Sequence, residues 1–108
     1  MTTSSEASGE ATLFVTYVGN ALTRFDRDHY VREHLPLVRK AWGPYGLVGI
    51  DAFFPAGDGA GTIAVAVCRF HNEVAMANAF GSLETKRVLA DVKNFTDVEP
   101  ARSRGVPL

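Results

Sequence analysis

Residues 47–70 read LVGIDAFFPAGDGAGTIAVAVCRF: two apolar runs, 47–55 and 62–70, separated by the glycine-rich segment AGDGAG. Short runs rich in β-branched and aromatic residues and bounded by turn formers are strands, so this stretch predicts a β-hairpin. In the second run Ile63, Val65 and Val67 point one way while Ala64, Ala66, Cys68 and Phe70 point the other, and both faces are apolar. In the first run Val48, Ile50, Ala52 and Phe54 alternate with Gly49, Asp51 and Phe53, a similar pattern with one acid included. A sheet built from such strands needs a covering layer on each side.

Working outward, residues 12–18 (TLFVTYV) form a first strand that stops at Gly19-Asn20. The segment FDRDHYVREHLPLVRKAW, 25–42, spaces Tyr30, Val31, His34, Leu35, Val38 and Trp42 at helical intervals and ends before Gly43-Pro44. Asp26 is its expected N-cap, Asp28 suits the positive end of the helix dipole, and Phe25 is placed to staple onto Tyr30. After the hairpin, Asn72 caps a helix over 73–80, Gly81-Ser82 interrupts it, and residues 83–92 continue as a second helical piece. Residues 96–106 (TDVEPARSRGV) make a weaker closing strand, with Pro100 suited to an edge. The order β-α-β-β-α-β is the ferredoxin-like α+β arrangement with helices on one face. The second face is then expected to meet a copy of itself, giving a homodimer with a barrel-like interior.

With 108 residues the chain suits one domain, expected over 11–108 after a lead-in at 1–10 that has nothing to bury. Eleven Lys and Arg against twelve Asp and Glu give a net charge of −1 with no basic block, which argues against a nucleic-acid partner. Neither a membrane span nor a secretory signal is expected, and the lone Cys68 fits a cytoplasmic location.

Candidate chemistry centres on the first helix. His29 and His34 are five apart, about 140° around an α-helix, so the spacing opposes a shared metal, and no metal site is expected. His34 shares a helical stripe with Tyr30 and Val38 and precedes Leu35-Pro36, where the proline bends the helix and frees the Arg32 carbonyl. Two readings stand side by side: a core histidine satisfied by one hydrogen bond, or a group for proton transfer near neutrality. Cys68, mid-strand, reads better as core filler than as a nucleophile. Asp51 either reaches the sheet's rim or sits in a polar patch of the interior, while Asn94, Thr96 and Asp97 are explained by turn chemistry.

Phe25-Asp26, Tyr30, His34-Leu35-Pro36-Leu37 and the later Asn94-Phe95-Thr96-Asp97 together resemble the EthD family, over about residues 13–100. Phe95 stands where tyrosine is common in that pattern. The resemblance implies a dimeric α+β barrel and places His34, Asp97 and Tyr30 at the cavity as catalytic residues, with Asp97 setting the tautomer or charge of His34. Phe25, Trp42 and Phe53 are the expected apolar wall, with Asp51, Asn94 and Phe95 as further substrate-binding positions. The activity implied is a cofactor-independent enzyme that moves a proton on an apolar aromatic, lactone or polyketide-like molecule held in the barrel, as an isomerase, dehydratase or decarboxylase does. The rival readings are a non-catalytic carrier of such a molecule and a dimeric assembly module.

Overall fold

The computed structural model describes residues 9–57 and 61–108; most of the expected lead-in and the centre of the glycine-rich loop lie outside the described residues. Strand β1 is Ala11–Gly19, β2 Leu47–Phe53, β3 Gly61–Phe70 and β4 Ala101–Gly105. They form one antiparallel sheet in the order β2-β3-β1-β4, the ferredoxin-like topology that the residue pattern predicts. Helix α1 is built from Arg27–His29, Tyr30–His34 and Leu35–Trp42; α2 is Glu73–Phe80 and α3 is Glu84–Asp91. Among the described residues no helix is long and apolar enough to cross a membrane.

Local chemistry sets the helix starts. Asp26 accepts a hydrogen bond from the His29 N–H, and the Phe25 and Tyr30 rings lie 5.2 Å apart, which is the expected cap and staple. Asn72 caps α2 by accepting from the Ala75 N–H at 2.8 Å. The middle of α1 departs from α geometry: Tyr30–His34 is a π-turn, in which the Leu35 N–H bonds to the Tyr30 carbonyl five residues back. A π-turn at this point adds a residue to the winding and changes which side chains share a face.

Every second strand residue faces the helices. Leu13, Tyr17, Ile50, Ala66, Cys68 and Phe70 pack under Tyr30, Leu35, Val38, Trp42, Met76 and Val88, all of them buried. A hydrogen-bonded thread ties the helices together: the Trp42 Nε1–H donates to Thr85 Oγ1 at 2.8 Å, and the Thr85 hydroxyl donates to the Ala79 carbonyl at 2.7 Å. The opposite face of the sheet carries Phe14, Val65, Val67 and Phe53, half-buried or exposed. The closing strand is shorter than its sequence suggested, because Pro100 has no N–H to pair and β4 begins only after it.

Candidate functional site

A cavity of about 550 Å³ lies between the sheet and helices α1 and α3, within the range of small-molecule sites. Its wall is mainly apolar, from residues such as Val15, Val38, Ile50, Ala66 and Val88, and Trp42 is part of it. The cavity is therefore inside one chain, on the helix side of the sheet.

The π-turn decides what faces this space. Where an α-helix would splay His29 and His34 apart, the extra residue brings both onto one carboxylate, that of Asp91 at the end of α3. His34 Nδ1 lies 2.9 Å from Asp91 Oδ2, His29 Nε2 lies 3.0 Å and 3.1 Å from the two oxygens, and the Asn94 amide donates to Oδ1 at 2.9 Å. The chain after α3 is held in register by its contacts with the start of α1. The Asp26 N–H donates to the Phe95 carbonyl at 2.8 Å, and the Thr96 hydroxyl donates to the Arg24 carbonyl at 2.7 Å.

Electrostatics then fix the protonation pattern. Burial pushes the His34 imidazole below its ordinary 6.5 and outweighs the upward pull of Asp91. Burial acts in the opposite sense on Asp91, but hydrogen bonds from Asn94, His34 and His29 outweigh it and hold the carboxyl below its ordinary 3.8. At neutral pH the pair is a neutral imidazole beside a carboxylate. A carboxylate only accepts, so the His34 proton must sit on Nδ1, and Nε2 is left as a bare lone pair.

That lone pair opens on the cavity. His34 lines it, Nε2 has no partner among the described residues, and none of their buried side-chain nitrogens or oxygens is left unsatisfied out of reach of solvent. The same reasoning applies to the hydroxyls of Tyr17 and Tyr30, 1% and 2% exposed, which line the cavity with no hydrogen-bond partner among the described residues. Burial first, then neighbouring groups including Cys68, raises both phenols above their ordinary 10, so they remain donors. Tyr30 also stacks on His34, with centroids 5.8 Å apart. Burial pushes the Cys68 thiol up to about 11, which leaves it unreactive.

The other expected site residues fall in three places. Asp97 reaches the cavity rim and not His34, because Arg24 binds its carboxylate at 2.8 Å and thereby holds its pKa below 3.8; the expected His34–Asp97 pair is replaced by His34–Asp91. Phe25 and Phe95 do not line the cavity: they pack with Tyr17 and Tyr30 in an aromatic cluster beside it, and Phe95 touches the His34 ring with centroids 4.6 Å apart. Phe53 and Asp51 are on the far face of the sheet, because their strand positions are out of phase with Ile50 and Ala52; Asp51 there meets Arg69 at 3.4 Å. Asn94 is outside the cavity and acts on it through Asp91. Sequence reading missed Asp91, His29 and Tyr17; the one signal for the first two was Pro36, two residues after His34, which marks a departure from regular α-helix in this segment. Among the described residues no cluster of three His, Cys, Asp or Glu side chains is arranged to hold a metal ion.

No family model matches this sequence, and no curated protein matches it either. Solved structures do. An EthD-like protein from Ralstonia eutropha JMP134 superposes with a TM-score of 0.77 at 20% identity, over 91% of this chain and 91% of that one. An ethyl tert-butyl ether degradation (EthD) family protein from Bacillus halodurans C-125 gives 0.72 at 19% identity, over 92% and 99%. An antibiotic biosynthesis monooxygenase gives 0.54 at 10% identity, over 91% and 98%. This chain has the fold of the EthD-like proteins.

Proposed function

We propose that this protein is a cofactor-independent enzyme that removes or relocates a proton on an apolar aromatic, lactone or polyketide-like molecule, as an isomerase, dehydratase or decarboxylase does. The observation that carries this reading is the bare Nε2 of His34 at the wall of an apolar cavity, with Nδ1 held by Asp91. His34 takes a proton from a carbon next to a carbonyl, and Asp91 stabilises the imidazolium that forms. The Tyr17 and Tyr30 hydroxyls donate to the oxygen that gains charge. In this reading Asp91 takes the orienting role that the resemblance gave to Asp97. The neighbours' names, EthD family and antibiotic biosynthesis monooxygenase, support small-molecule chemistry in a catabolic or secondary pathway.

We place the protein in the cytoplasm, which suits a lone buried cysteine, and as a homodimer through the far face of the sheet. Phe14, Phe53, Val65 and Val67 form an apolar surface there that a second copy would cover, leaving each cavity on the helix side intact. Light scattering that shows a stable monomer at micromolar concentration would remove the dimer.

The test of the chemistry is hydrogen exchange. Carbonyl compounds that raise the melting temperature are incubated with the protein in D2O and followed by mass spectrometry. Enzyme-dependent deuterium uptake beside the carbonyl, lost in His34→Gln, is the expected result. Tight binding with no uptake from any ligand would make the protein a carrier.

A further inference from the structure

The two ends of the cavity differ chemically. Its depth offers only uncharged groups, the Tyr17 and Tyr30 hydroxyls and neutral His34, whereas its rim carries Lys93, Asp97, Glu99 and Arg102. These rim charges do not cancel. Asp97 is already bound by Arg24, which also donates to the Lys93 carbonyl at 2.7 Å. Lys93 and Arg102 have no ion-pair partner among the described residues, and neither has Glu99, so two cations stand against one carboxylate. Arg102 pairs in register with Val15, a cavity residue, and so projects to the helix side of the edge strand. Arg104, two positions on and on the same side, meets Glu73 of α2, whereas Arg102 lines the cavity mouth and its side chain has no hydrogen-bond or ion-pair partner among the described residues.

Resting on the reading of this cavity as a small-molecule site, we propose that its ligand is an amphipathic organic acid. Its apolar body fills the interior, an uncharged oxygen meets the two tyrosines, and a carboxylate or similar anion lies at the mouth between Lys93 and Arg102. Leaving the anion at the rim avoids the large cost of burying a charge, while the neutral groups below suit the rest of the molecule. Because both cations are exposed, their contribution is modest and screened by salt.

The experiment compares two probes on the whole protein: anilinonaphthalene sulfonate and phenylnaphthylamine, the same ring system without the sulfonate. Binding is followed by fluorescence at low and high salt, in the wild type, in Lys93→Gln/Arg102→Gln, and in Ala66→Leu and Ala66→Val, which narrow the cavity. The sulfonate is expected to bind about three- to tenfold more tightly than the neutral probe, an advantage that the double substitution and high salt both abolish. Equal affinities, or an advantage that survives the double substitution, would overturn the proposal. In that case, binding of both probes that weakens on narrowing at Ala66 would leave the small-molecule reading standing. Failure of both probes to bind in an Ala66-dependent way would overturn that reading too.

Discussion

The neutrality of His34 has a measurable thermodynamic consequence. The imidazole is buried and its pKa is pushed below 6.5, so as the pH falls past that value the unfolded chain takes up a proton that the native protein refuses. Stability is complete above about 6.5 and declines as the pH falls from there toward the folded-state pKa. One such group gives a slope of at most about 1.4 kcal/mol per pH unit. Asp91 does not confuse the window, because its carboxyl titrates below 3.8, so its contribution is present above that and lost only at lower pH. The assay is urea unfolding followed by circular dichroism at half-unit steps from pH 7.5 to 4.5, in the wild type and in His34→Gln, whose amide can still donate to Asp91. His71 is common to both proteins and cancels in the difference; His29, which shares Asp91 with His34, is controlled by repeating the pair in a His29→Gln background. The wild type is expected to lose more stability than the variant on acidification. A flat difference would mean that His34 titrates like a free imidazole, and a difference of opposite sign would mean that its pairing with Asp91 outweighs burial.

Asp91→Ala leaves the buried His34 Nδ1–H without its acceptor and is expected to cost about 1–3 kcal/mol in the same unfolding assay. In NMR titrations Asp91→Asn is expected to lower the His34 pKa further, whereas Asp97→Asn, at a rim carboxylate held by Arg24, leaves it unchanged. Gly46 has φ of 108°, and a Cβ there would lie 2.7 Å from the Cβ of Ala75, so Gly46→Ala is expected to destabilise by about 1 kcal/mol or more and lower the melting temperature. Cys68 is 2% exposed and its pKa is near 11, so it is almost entirely the thiol at neutral pH; although it lines the cavity, small thiol reagents are expected to label it slowly, and labelling as fast as that of a free cysteine would contradict its placement.

The fold was legible because its signals are local and periodic: the parity of 62–70, the Asp26 and Asn72 caps, and the Phe25–Tyr30 staple each specify their own element. The cavity's position was not, since strand parity shows that both faces are apolar but not which one encloses space. The site was half legible. His34 and Tyr30 lie on a helix whose pattern can be read, but their partner Asp91 is distant in sequence and reaches them only through the docking of α3. The π-turn also changed the geometry, since the 140° separation of His29 and His34 holds for an α-helix and Tyr30–His34 is not one. The motif points to Asp97 as the partner, but a side chain's neighbours are decided in three dimensions, and the group that Asp97 meets is Arg24.

The role of His34 rests on its tautomer, which is read from the ring nitrogen-15 shifts and couplings at neutral pH, with His34→Gln to assign the signals. A neutral ring with its proton on Nδ1 and an unprotonated Nε2 is the expected result. A proton on Nε2, or a cationic ring, would contradict it, because His34 would then have no lone pair to offer the cavity.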